Sequence, residues 1–368
     1  MKEERDFAGF VLSYAVGAFI TTGSGSGCYD HFPILPSLFM TATALLMLIL
    51  MCKPFRSRHG SWTKLVVALT GAACGCFVGS TAMTGGISAT GSGIIPELEG
   101  IGKGLGMLID KTNFSNPETN AVLKALITGE RSDIPKSVTE AFRDSGASHI
   151  LALSGFHLGI IYSIISRPAS LLGGSRKAVL IKGMTTVPLC GIYTLATGAG
   201  PSIVRAFIFI LLGETARVTH RKPKTSSIIL SALLIQLTFD PTSVRTVSFQ
   251  LSYAAMAGIA YIFPHLKNMW KADENDNWPA LRKIWDSAAM SVSCQLTTGP
   301  LAYHHFGTFP EYFLLTNLIA LPLTTLAIPS ALLAIGMTAL GICPDFLLKT
   351  SEFLITALIW SLEIIAGM

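Results

Sequence analysis

About twelve apolar runs of nearly bilayer-spanning length punctuate the chain, near residues 7–22, 32–52, 64–83, 148–166, 179–198, 201–218, 225–240, 247–264, 287–303, 311–327, 328–343 and 350–366. A helix needs about 20 mostly apolar residues, with a range of about 17–25, to cross a membrane. Several runs are short. The stretch 311–343 carries the single charge Glu311 and is divided in two mainly because of Pro322 and Pro329. The reading is therefore an all-α, polytopic transmembrane helical bundle of about 10–12 spans, with short amphipathic interfacial helices. Charge supports it: 13% of the 368 residues are charged and 50% are hydrophobic, against about 25% charged in a soluble domain. A soluble enzyme, a disordered chain and a disulfide scaffold are excluded.

Charge placement orients the bundle. With the N-terminus inside, the cytoplasmic loops hold Lys53, Arg56, Arg58 and Lys64, then Arg167, Arg176 and Lys177. Further along come Arg217, Arg221, Lys222 and Lys224, then Lys267, Lys271, Arg282 and Lys283. The short outer loops 23–31, 199–200, 241–246 and 304–310 hold only Arg245. This asymmetry predicts a cytoplasmic N-terminus and accounts for the net charge of +5 without nucleic acid. Lys2 to Arg5 followed by Phe7–Thr22 reads as a retained first span: the run is long for a secretory signal and no A-x-A site precedes Gly23.

Three regions follow: an N-terminal three-span region 1–83, an extracytoplasmic segment 84–147, and a multi-span domain 148–368. The middle segment contains no span. From Thr84 to Gly106 it is Gly-rich and promises little regular structure. Two short amphipathic helices are predicted beyond it. One begins near Pro117 with Val122, Leu123, Leu126 and Ile127 on one face; the other begins near Pro135 with Val138, Ala141 and Phe142 and ends at Gly146. They either lie along the outer interface or pack across the bundle.

Gly71, Gly75 and Gly79 form a G-x-x-x-G-x-x-x-G series that suits close helix packing. The run Gly100 to Gly106 resembles a phosphate loop, but Lys103 is followed by Gly104 and no strand precedes it, so nucleotide binding is rejected. The seven cysteines show no C-x-x-C pair, and no Cys/His spacing suits zinc; neither a metal nor a cofactor is expected. Ser148-His149-Ile-Leu-Ala-Leu-Ser154-Gly155-Phe-His157 places polar groups inside an apolar run, with His157 near mid-span and His149 toward the outer interface. Ionisable groups at such depth face a partner or a cavity; Gly155 and Gly159 allow a break or a close crossing. Arg205, about 6 Å inside its span, either snorkels outward or holds an anion. Glu214 is set to pair with Arg217 at i+3. Gln250, Gln295 and Asn317 add uncharged polar groups within spans. No G-x-S-x-G elbow occurs, no catalytic residue is assigned, and no enzymatic activity is expected.

Leu126-Ile-Thr-Gly129-Glu-Arg131, Phe142 and His149 to His157 resemble the central block of ComEC-type competence proteins, the inner-membrane DNA internalisation channels. Thr197-Gly198 through Pro201-Ser202-x-x-Arg205-Ala206 follows, then Asp240-Pro241, then Phe249-Gln250-Leu251-Ser252, and last Pro300 through Phe309-Pro310 and Asn317. The likeness covers roughly 118–343. Phe156 and Ser248 depart mildly from the family's usual Leu and Gly. Longer relatives carry an OB-like domain and a C-terminal metallo-β-lactamase-like domain; segment 84–147 is short for the former, and no H-x-H-x-D-H motif of the latter occurs.

The resemblance implies DNA internalisation in natural competence, by a path for single-stranded DNA across the bacterial inner membrane. It makes Arg205, His157, Gln250 and Gln295 candidates along the path, with His149, Ser154 and Gly155 in the same block and Arg131 and Arg143 guiding the strand from outside. The implied partners are single-stranded DNA, the lipid bilayer, an extracytoplasmic DNA receptor, a cytoplasmic DNA-translocating helicase, single-stranded-DNA-binding proteins, a separate nuclease and further copies of the chain. The alternative is a secondary transporter of a small anion or metabolite that uses an intramembrane histidine.

Overall fold

The computed structural model describes residues 2–21 and 96–368, apart from 113, 172, 174, 221–222, 271–278 and 308. Among them the only regular structure is helical. In chain order the first helices are α1 (Lys2–Thr21), α2 (Pro96–Lys111), α3 (Pro117–Thr128), α4 (Lys136–Asp144) and α5 (Ser148–Leu151). Then come α6 (Gly155–Ser170), α7 (Arg176–Ala196), α8 (Pro201–Val218), α9 (Thr225–Phe239) and a 3-10 turn, Pro241–Arg245. The last are α10 (Val247–Ala257), a π turn (Gly258–Ile262), α11 (Phe263–Lys267), α12 (Pro279–Phe306), α13 (Phe313–Ala339) and α14 (Asp345–Ala366). The expected spans 32–52 and 64–83, with Gly71, Gly75 and Gly79, lie outside the described residues.

Three helical segments are long and apolar enough to cross a membrane: Lys177–Ala196, Val247–Lys267 and Phe313–Ala339. Shorter apolar helices cover Phe7–Phe19 and Thr225–Phe239. Their outer faces carry exposed apolar side chains, such as Met184 on α7 and Leu326 and Leu333 on α13. That is what a lipid-facing surface requires, and the molecule is an all-α membrane protein.

The chain divides into two compact units. One, residues 1–92 with 221–250, contains α1, α9 and the 3-10 turn. Tyr14 Oη lies 3.3 Å from Thr238 Oγ1. Arg245 donates to the carbonyl of Phe19 at 3.0 Å and stacks over its ring. Arg245 thus serves the C-terminal end of α1, where cations are favoured.

The other unit, residues 93–220 with 251–368, holds the main core. Here α13 and α14 form a hairpin, and a stripe of small buried residues on α13 (Ala320, Ala327, Ala331, Ala334) lets the helices approach closely. The expected division of 311–343 into two spans does not occur: α13 runs unbroken through Pro322 and Pro329. Each proline costs about 3 kcal/mol in a helix. Abandoning the helix in an apolar environment leaves several unpaired amides, each costing several kcal/mol, so the continuous helix wins.

Short helices α3 and α4 occur where the apolar stripes place them, and they pack into the bundle. Asn116 caps α3 by accepting from Glu118 N–H at 2.9 Å, Pro117 occupies its first position, and Gly129 ends it with φ of 85°. Val122, Leu123, Leu126 and Ile127 are all buried, and so are Thr119, Ala121, Lys124 and Ala125, which makes α3 a core helix enclosed on nearly every side. On α4, Val138, Ala141 and Phe142 point inward. Gly146 takes φ of 81° after its last turn and lies so close to Pro310 that a Cβ would come within 2.6 Å of it. Two bonds fasten this region: Tyr193 Oη to the carbonyl of Ile127 at 2.6 Å, and the buried bond of Thr316 Oγ1 to that of Ser145 at 2.7 Å.

Helix α2 is a finding that the Gly-rich reading of 84–106 does not anticipate. It forms through Gly100, Gly102, Gly104 and Gly106. Gly102 explains part of this: a Cβ there would strike the backbone carbonyl of Ala196 at the end of α7, so only glycine lets the helices touch. A helix over Gly100–Gly106 also agrees with the rejection of a phosphate loop.

Candidate functional site

The run 148–166 is not one span. Helix α5 is a single turn that ends at Leu151, and Ala152 (φ −73°, ψ 129°) and Ser154 (φ −126°, ψ 172°) are extended before Gly155 begins α6. His157 therefore sits in the first turn of α6 and not at mid-span. The break lies where Gly155 allowed one, and Gly155 is also the close contact: its Cβ would come within 2.9 Å of Ala206 Cβ and 3.8 Å of the Ser202 carbonyl on α8. Gly159 has open space around it and makes no such crossing. Behind the contact, Leu158, Cys190 and Ile203 form a small core joining α6, α7 and α8.

His157 is fully buried. Its Nδ1 accepts the backbone N–H of Ser154 at 3.1 Å and lies 3.1 Å from Ser154 Oγ. Because an amide N–H can only donate, the neutral ring carries its proton on Nε2. That buried Nε2 has no hydrogen-bond partner among the described residues. The ring of Phe156 meets the imidazole edge-on, centroids 5.7 Å apart.

His149, on α5, is exposed and lies within electrostatic reach of His157. Its Nδ1 lies 3.1 Å from the carbonyl of Gly146 and so carries a proton. The Asn317 side chain lies within reach of the same ring. Asn317 Oδ1 is left without a partner among the described residues.

Arg205 does not snorkel: it is 1% exposed, in the second turn of α8, and donates to Ser202 Oγ at 2.9 Å. Tyr253 on α10 is close enough to interact with it electrostatically. Further along α8, Glu214 pairs with Arg217 at 2.6 Å as the i+3 spacing predicts, and Tyr162 of α6 also donates to Glu214.

The other expected residues are scattered. Arg131 is exposed in the turn after Gly129, and Arg143 is exposed and paired with Asp144 at 3.0 Å. Gln295 is half-buried on α12 beside Gly299. Gln250, in the smaller unit, donates to the carbonyl of Val244 at 3.2 Å. The structure thus gathers His149, Ser154, Gly155, His157 and Arg205 around one helix break and does not bring Arg131 or Arg143 into it.

Sequence reasoning missed Lys124. It is buried on α3, and its ammonium bridges Asp110 of α2 at 3.0 Å and Asp133 of the α3–α4 turn at 2.9 Å. These carboxylates raise the Lys124 pKa above its ordinary value, and Lys124 in turn lowers that of Asp133. Nothing in the spacing of residues 110, 124 and 133 announces the clamp.

Chemically, the break presents donors. The Ser154–His157 contact has the look of a nucleophile and its base, but Nδ1 is already taken by an amide and no carboxylate orients Nε2 among the described residues. Nor do three or more His, Cys, Asp or Glu side chains converge there in a form that suits a metal.

Fold and site together define a helical membrane protein organised around a discontinuous helix. The Competence protein family matches residues 126–368, more than half of the chain, and the chain belongs to that family. It is 25% identical over 229 residues to ComE operon protein 3 of Bacillus subtilis, covering 61% of this chain and 27% of that protein. It is 24% identical over 215 residues to the uncharacterized protein YcaI of Escherichia coli, covering 56% and 27%. An uncharacterized protein of Aquifex aeolicus is 24% identical over 159 residues, covering 43% and 36%. The chain thus spans about a quarter to a third of the length of these relatives. No solved structure matches it.

Proposed function

We propose that the chain takes part in competence DNA uptake by forming a path for single-stranded DNA across the bacterial inner membrane. In this reading it is a multi-pass protein with a cytoplasmic N-terminus and no catalytic step of its own. The observation that carries it is the family match over 126–368, within which lie all the polar residues gathered at the α5–α6 break. A strand in transit needs donors for its phosphates in a route shielded from lipid, and His157 and Arg205 supply buried donors inside an apolar bundle. A DNA-translocating helicase or the membrane gradient supplies the driving force, and single-stranded-DNA-binding proteins receive the strand. A receptor, a separate nuclease and further copies of the chain complete the assembly.

The test is a clean in-frame deletion scored for transformation and for entry of labelled DNA into the cytoplasm. Loss of both, with surface DNA binding retained, is expected. Unchanged cytoplasmic entry removes the reading.

A further inference from the structure

We propose that the α5–α6 break is an oxyanion site and that a backbone phosphate of the single strand occupies it, the choice of occupant resting on the DNA-path reading above. Two helix N-termini meet there. Gly155 is the first residue of α6, 16 residues long, and it packs on Ser202 and Ala206 in the opening turns of α8, 18 residues long. Each N-terminus carries a partial positive charge of about half a unit, and in α6 the amides of Gly155 and Phe156 stand in a first turn that supplies them no intrahelical acceptor. Any side chain at 155 would separate them, since even a Cβ meets Ala206 at 2.9 Å.

Converging N-termini do not make a site by themselves; the second observation is the imidazole. Its Nδ1 is fixed on the Ser154 amide, which folds the ring back across the start of α6 toward the break and His149. The protonated Nε2 is then a buried donor with no acceptor among the described residues, a costly arrangement unless a ligand supplies the acceptor. Arg205 adds a guanidinium in the second turn of α8, held by Ser202. The acceptor left over nearby, Asn317 Oδ1, is uncharged. Amides, an imidazole N–H and a guanidinium all donate, so the group they select is rich in acceptors and negatively charged.

The experiment uses the full chain in nanodiscs of one lipid composition. Binding of fluorescent oligothymidylate is compared with that of the same oligomer carrying an uncharged methylphosphonate backbone, with inorganic phosphate as competitor. His157→Gln and His157→Glu both keep a side chain that reaches the Ser154 amide as a capping-box residue does. Gln retains an amide donor, whereas Glu brings a negative charge. The natural oligomer is expected to bind at least about tenfold more tightly than the methylphosphonate and to lose about tenfold with His157→Glu, the scale of one charge-assisted hydrogen bond. His157→Gln should stay within about threefold of wild type. Equal affinity for the two backbones overturns the proposal without any variant having to fold. So does wild-type affinity in folded His157→Glu, or binding of inorganic phosphate with none of oligothymidylate. Binding through His157 alongside undisturbed uptake in the deletion strain keeps the site and removes the DNA-path role.

Discussion

The backbone N–H of Ser154 donates to Nδ1 of His157 across 3.1 Å, so the third residue of α6 caps the helix it belongs to. A cap of this kind is worth about 0.5–2 kcal/mol. His157→Ala should lower thermal stability in detergent by about that amount plus the cost of the cavity left by a fully buried ring. His157→Gln, which reaches the same amide, should recover the cap. Equal melting temperatures for the two variants would show that the bond contributes nothing.

The glycines of α2 make a matched set. Gly104 has open space where a Cβ would go, whereas a Cβ on Gly102 meets the Ala196 carbonyl. Gly104→Ala is therefore expected to stabilise by up to about 1 kcal/mol through helix propensity. Gly102→Ala should destabilise despite the same gain, because a backbone carbonyl cannot move aside cheaply. Thermal melts of the two variants decide it by their opposite signs.

The Lys124 clamp predicts two pH limits for the α3–α4 turn. Asp133 has a lowered pKa, so its stabilising effect is complete above the ordinary carboxylate value near 3.8 and fades as pH falls through the folded value. Lys124 has a raised pKa, so its contribution is complete below 10.5 and fades as pH rises through the folded value. Both carboxylates are about half exposed, which limits each pair to about 0.2–1 kcal/mol. Proteolytic cleavage between Gly129 and Ile134 should be flat from about pH 5 to 9, and Lys124→Met should raise it across that window. Cleavage unchanged in Lys124→Met excludes the clamp.

Glu214 is 3% exposed while its partner Arg217 is half exposed. Arg217→Ala leaves the buried carboxylate with Tyr162 but no cation and should cost about 2–3 kcal/mol, less than the loss from a fully buried pair. Adding Glu214→Gln should restore much of it. An additive double-mutant cycle would show that the 2.6 Å contact carries no coupling.

Much of the fold was legible in the pattern of residues. Helix α8 begins at Pro201 and ends at Val218, as its apolar run does, and α3 and α4 start at the prolines and end at the glycines that mark them. These are local signals: a proline fits a first turn, a glycine accepts φ near 80°, and a stripe needs only its own helix. The misreadings involve a neighbour. Pro322 and Pro329 look like breaks until α14 packs along α13, and Gly100 to Gly106 looks irregular until Ala196 requires a bare backbone at Gly102. The real break at Ala152–Ser154 falls in an apolar run with no proline at all.

The site divides the same way. The spacing of Ser154, Gly155 and His157 sets a capping geometry that the chain can adopt alone, and Glu214 and Arg217 pair within one helical turn. Burial of Arg205, the meeting of Gly155 with Ala206, and Lys124 between Asp110 and Asp133 join residues 9 to 51 positions apart. Sequence by itself determined the all-α membrane class, the places of helices such as α3, α4 and α8, and the residues able to donate to an anion, because these follow from local hydrophobicity and backbone chemistry. Only the tertiary structure decided which donors share one helix break, because that depends on packing between helices whose contacting faces the apolar pattern of each helix does not specify.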